Sequence, residues 1–86
     1  MLKVYGSMLC PDCVQCCDAF KQLGIDFTFL DFADDLRNLK AFLALRDTNA
    51  CFEQAKAEGF IGIPCIVSEE GFVDLDWERY VGQAKA

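Results

Sequence analysis

Met8-Leu9-Cys10-Pro11-Asp12-Cys13-Val14-Gln15-Cys16-Cys17 is the stretch on which the fold of this chain turns. Two cysteines separated by two residues follow a short apolar run, Leu2-Lys3-Val4-Tyr5, and stand where a helix begins. Proline is tolerated at the first helical position, because an N–H there lacks an intrahelical partner in any case. Cys10 is therefore expected at the N-cap, where free amides and the positive end of the helix dipole favour an anion. A thiolate is such an anion, and in C-x-x-C sites this setting takes a cysteine pKa from about 8.5 to roughly 3.5–7.5. The spacing makes Cys10 the expected nucleophile and Cys13, almost one turn deeper, the expected resolving thiol.

Outward from this motif, residues 2–5 read as a buried strand and Pro11 to Leu23 as a helix, ended by Gly24 in a left-handed turn. Ile25 to Phe32 is rich in aromatic and β-branched residues and reads as a second strand. Strand, helix and strand at this spacing form a βαβ unit with parallel strands and a right-handed crossover. Asp34 and Asp35 offer caps for a second helix running to Arg46, whose expected apolar face is Leu36, Leu39, Phe42 and Leu43. Ala50 to Glu58 reads as a short third helix ended by Gly59. Cys65 to Ser68, a turn at Glu69-Glu70-Gly71, and Phe72 to Asp74 form an expected hairpin, followed by a helix from Asp76 to Gln83. The order β-α-β-α-α-β-β-α predicts one α/β domain over residues 1–86.

Composition limits the chemistry. The chain is 53% hydrophobic with eight phenylalanines, enough to build a core without staples. A net charge of −6 makes nucleic acid and anionic membranes poor partners. With no histidine, Cys-His catalysis and the common zinc hydrolase sites are excluded, so cysteine must carry any chemistry. Four of the six cysteines fall within eight residues, too local to staple distant parts of a secreted fold. No charged segment followed by an apolar one precedes them, and no apolar run reaches membrane-spanning length. A reduced, cytoplasmic monomer is the expectation.

Gly62-Ile63-Pro64-Cys65 is the second informative stretch. Proline donates no amide to a ladder, so here it belongs at the first residue of a strand. An X-Pro bond at such a place can be cis. The Ile63 backbone would then face the catalytic loop and pair with an extended substrate as an added strand does.

With both elements in place, the chain resembles the glutaredoxin family of the thioredoxin-like fold over nearly its whole length. The resemblance implies a four-stranded mixed sheet flanked by helices, with disulfide exchange through Cys10 and Cys13. It implies a cis Pro64, and a substrate site formed by Ile63 and Pro64 with a basic side chain, here Arg37, for a carboxylate. It also implies glutathione as electron donor, with no tightly bound cofactor. Three positions depart from the family's usual pattern. Ser7 stands where Lys or Arg is common, and Asp12 where Tyr or Phe is common. Asp74-Leu75-Asp76 replaces a Gly-Gly-Asp stretch whose amides hold a glutathione carboxylate. Asp12 is expected to oppose thiolate formation at Cys10 and to lean the couple toward reducing its substrates. Another low-molecular-weight thiol or a reductase is then an equal candidate donor, and a disulfide-bearing protein a candidate substrate.

The remaining cysteines have several readings. Cys16 corresponds to a small core position. Cys17 corresponds to an exposed one, as a second resolving thiol, a metal ligand or neither. Cys65 either faces the site or turns into the core, and Cys51 reads as a small hydrophobe. Soft thiolates also suit zinc and iron–sulfur clusters, so a metal carrier using the same cysteines is the rival function. Trp77 and Tyr80 read as packing against the sheet, Phe72 as core or edge packing, and Arg37, Lys40 and Arg46 as a solvated helix face or contacts for an anionic partner.

Overall fold

In the computed structural model, which describes residues 1–86, the expected element order is observed. Leu2–Gly6 forms β1, Pro11–Gln22 α1, Phe27–Asp31 β2 and Leu36–Thr48 α2. A 3-10 turn at Ala50–Phe52 leads into α3, Glu53–Glu58. Cys65–Val67 is β3, Val73–Asp74 is β4 and Trp77–Lys85 is α4. The four strands make one mixed sheet in the order β2-β1-β3-β4, parallel between β1 and β2 and antiparallel elsewhere. This is a thioredoxin-like α/β fold. No helix is long and apolar enough to cross a membrane.

Strand alternation divides the core into two layers, because successive side chains point to opposite faces. Val4 lies between Phe29 and Ile66 in register, and these three pack with Cys16 and Phe20 of α1 and with Trp77, Tyr80 and Val81 of α4. Tyr5 lies between Leu30 and Cys65 on the other face, packed against Phe42 of α2 and Phe52 of the 3-10 turn. Phe20 meets Phe27 and Tyr80 edge-on, and Phe42 meets Phe52 the same way, the arrangement that aromatic quadrupoles favour. Trp77 and Tyr80 are thus packing residues, as expected.

Three details differ from the sequence expectation. Ile25 does not open β2, because its N–H bonds Phe20 O at 2.9 Å and completes the turn that ends α1 at Gly24. Leu36 and Leu43 are exposed (74% and 42%), since the buried stripe of α2 is Leu39, Phe42 and Leu45. At 3.6 residues per turn, both lie about 100–120° round the helix from Phe42, beyond that stripe. Cys51, on the 3-10 turn, is exposed rather than packed. Of the two readings of Phe72, the edge one holds: it is 57% exposed beside β4, the sheet edge with no strand outside it, and lies 5.3 Å from the guanidinium of Arg79.

Candidate active site

Cys10 is the N-cap of α1, with extended backbone (φ −94°, ψ 119°) and Pro11 at the first helical position. The turn that delivers it is closed by Ser7, whose carbonyl accepts from Cys10 N at 3.0 Å and whose hydroxyl accepts from Leu9 N at 3.1 Å. Cys10 O then accepts the first helical bond, from Val14 N at 3.1 Å. The Cys10 sulfur caps no amide itself and is only half-buried. Its thiol chemistry is open to solvent and to substrate.

Cys13 is the opposite case. It is fully buried, with Sγ seated over Gly6 of β1, where a Cβ would lie 2.5 Å from the sulfur. Only glycine admits the sulfur there. Burial pushes the Cys13 thiol up to about 12, and the neighbouring Cys10 side chain adds to the rise. The Ser7 backbone amide opposes it. Of the two sulfurs in the motif, Cys13 is the buried one and Cys10 the accessible one.

Facing Cys10 across a cleft of about 550 Å³ is a wall built from the α3–β3 connection. Gly59 ends α3 at φ +78°, and Phe60 N reaches back to Ala55 O at 2.8 Å, so the chain leaves the helix abruptly. Arg46 of α2 then clamps the segment. Its Nε donates to Ile61 O at 2.8 Å and its guanidinium to Phe60 O at 2.9 Å. Gly62 follows at φ +93° with Phe52 so near that a Cβ would lie 2.8 Å away, so glycine is required twice over. The Ile63-Pro64 peptide is cis, as expected. Neither Ile63 N–H nor its C=O enters the chain's own backbone bonds.

The structure therefore brings Cys10, Ile63 and Pro64 to one cleft with Cys13 directly behind, and Asp12 on its rim. Arg37 is not part of it. Its guanidinium pairs with Asp35, the N-cap of α2, at 2.7 Å, and that pairing holds the Asp35 carboxyl below the usual carboxylate range. The Asp74-Leu75-Asp76 stretch presents Leu75 to the cleft, while the Asp74 carboxylate is engaged within the stretch and by α4. Asp74 Oδ1 accepts from Asp76 N at 3.0 Å, and Asp74 Oδ2 pairs with Arg79.

The other cysteines are structural or peripheral to the cleft. Cys16 is fully buried in the layer between sheet and α1, as its family position implied. Cys17 is also buried, at 3% exposure, which corrects the expectation of an exposed thiol. One turn beyond Cys13 on the same face, it inherits the burial of that face. Cys65 turns into the core against Tyr5, Phe42 and Phe52 by strand alternation. Burial pushes the Cys16 and Cys65 thiols up to about 12. Sequence reasoning missed the clamp by Arg46, read there as a solvated or anion-facing residue, because the contact spans 14 and 15 residues. It also missed Phe60 and Ile61. Their signal was there, an apolar pair between Gly59 and Gly62 immediately before Ile63-Pro64.

No family model and no solved structure matches the chain. It is 39% identical over 70 residues to an uncharacterized protein of Haemophilus influenzae, an alignment that covers 81% of each chain.

Proposed function

The chain belongs to one family with that Haemophilus influenzae protein, and we propose that it is a glutaredoxin-type thiol–disulfide oxidoreductase. The observation that carries this reading is the asymmetry of the two motif cysteines. Cys10 lies at the lip of a cleft, and Cys13 is buried behind it with its thiol pushed up by that burial.

In the forward reaction the Cys10 thiolate attacks one sulfur of a substrate disulfide. The substrate S–S bond breaks, a mixed disulfide forms on Cys10, and the leaving sulfur departs as a thiolate that takes up a proton. Cys13 then gives up its proton to solvent and attacks the Cys10 sulfur, breaking the mixed disulfide. The second substrate thiolate leaves, and two electrons have passed from the dithiol to the substrate. The free N–H and C=O of Ile63 are placed to hold an extended substrate chain against the cleft. A reducing compartment, the cytoplasm, suits this direction, and a low-molecular-weight thiol or a reductase returns the Cys10–Cys13 disulfide to the dithiol.

Mass spectrometry of the intact chain tests the reading. Treatment of reduced protein with 2-hydroxyethyl disulfide is expected to remove two hydrogens, mapped to a Cys10–Cys13 bond. Cys13→Ser is expected to stop at a mixed disulfide on Cys10. An unmodified Cys10, or a metal carried by the fresh protein and lost in Cys10→Ser, refutes it.

A further inference from the structure

The charges around the cleft define a substrate class. Asp12 is the one charged residue among those lining the cleft, and it makes no ion pair or hydrogen bond. None of the eight lysines and arginines lines the cleft. The nearby ones are committed elsewhere. Arg46 is spent on the Phe60 and Ile61 carbonyls, Arg79 on Asp74, Arg37 on Asp35 and Lys56 on Glu53. The Asp76 amide at the start of α4 is also taken, by the Asp74 carboxylate. An anionic substrate would meet repulsion from Asp12 and find no free cation, on a protein whose net charge is already −6.

Apolar surface extends the cleft outward. Phe60 and Ile61, which line the cleft, are 61% and 59% exposed, and Leu9, next to Cys10 in the chain, is 92% exposed. A small disulfide would cover little of this apron. A polypeptide segment would cover it, and would also meet the free Ile63 N–H and C=O.

We propose that the cleft takes an extended polypeptide disulfide with apolar residues flanking the reacting cysteine and a lysine or arginine next to it, and that it selects against anionic disulfides. This inference rests on the redox reading above and assigns its substrate. The chemistry is the exchange already written, with the cationic side chain set beside Asp12 and the apolar residues between Leu9 and Phe60-Ile61.

The test uses reduced full-length protein and two peptides of equal length and apolar content. Each carries one cysteine as a mixed disulfide with 2-mercaptoethanol, flanked by lysine in one and glutamate in the other. Glutathione disulfide and 2-hydroxyethyl disulfide complete the set. The lysine peptide is expected to modify Cys10 roughly tenfold faster than the glutamate peptide at low salt, with the ratio falling in high salt. Glutathione disulfide is expected to be as slow as the glutamate peptide. Asp12→Asn should bring the ratio close to one. A glutamate peptide or glutathione disulfide that reacts as fast as the lysine peptide overturns the substrate assignment while leaving the redox reading intact. If 2-hydroxyethyl disulfide, small and neutral, also leaves Cys10 unmodified, the redox reading itself falls and the substrate assignment with it.

Discussion

Gly6→Ala is the substitution whose effect the structure specifies most closely. The added methyl would lie 2.5 Å from Cys13 Sγ, with two Phe29 ring carbons at 3.4 and 3.5 Å on its other side. Gly6 is held in the ladder opposite Asp31, and Cys13 sits in the first turn of α1, so neither backbone yields easily. Forcing a methyl into a filled site costs about 1–3 kcal/mol. For a domain of this size each kcal/mol lowers the melting temperature by about 4–8 °C. Thermal and urea melts of the reduced protein read this loss directly. A double-mutant cycle with Cys13→Ala isolates its cause, because removing the sulfur makes room for the methyl. The coupling is expected to recover most of the loss, within the range of about 0.5–3 kcal/mol seen for residues in contact. The displaced sulfur should also be less well placed to reach Cys10, so disulfide closure in Gly6→Ala should slow. A Gly6→Ala protein as stable as the parent, or an equal loss in the Cys13→Ala background, refutes the argument that the sulfur fills this space.

Two further outcomes follow from the same geometry. Arg46→Met keeps much of the aliphatic stem but removes both bonds to the Phe60 and Ile61 carbonyls. It is expected to cost about 1 kcal/mol and to speed hydrogen exchange at the Phe60 amide, and unchanged exchange there would mean the clamp does not hold the wall. Alkaline stability is set by Cys13, Cys16 and Cys65, each pushed up to about 12 from an ordinary value of 9.0. The folded state keeps these thiols protonated while the unfolded chain releases their protons, so their contribution is full below pH ~9 and is lost as pH rises from there toward 12. Each thiol removes up to about 1.4 kcal/mol per pH unit in that window. The urea midpoint under reducing conditions should therefore fall steeply between pH 9 and 10.5, and a flat profile would contradict the burial argument.

The elements legible in the sequence were those with local causes. Pro11 and the two glycines, Gly24 and Gly59, fix helix ends through their own backbone preferences, and the strands announce themselves by β-branched and aromatic runs. Cys10, Cys13 and Pro64 were readable for the same reason, since each sits at a boundary that short-range spacing defines. Long-range geometry was not readable. Whether Cys65 faced the cleft or the core depended on its register opposite Tyr5, which local pattern leaves open. The burial of Cys17 and the rotation of α2 that exposes Leu36 and Leu43 depend on how helices settle on a sheet. The pairing of Arg37 with Asp35, two residues earlier, was not readable either, because the bonds are those a helical cap creates.

The register between β1 and β3 is what joins the two halves of the site. Tyr5 pairs with Cys65, so the antiparallel ladder carried one residue further sets Gly6 beside Pro64. Gly6 admits the Cys13 sulfur from α1, and Pro64 stands just before β3 at the opposite wall of the cleft, so one pairing step positions both. A slip of a single residue would turn Ile66 and Cys65 onto each other's faces and disrupt the Phe29–Val4–Ile66 and Leu30–Tyr5–Cys65 rows. Burial of those rows therefore locks the register, and the locked register holds Cys10, Cys13 and Pro64 together. Neither the cysteine motif nor the proline needs a direct bond to the other. Core packing sets their separation, and a substitution that loosens the Val4 or Tyr5 row should act on the cleft as well as on stability.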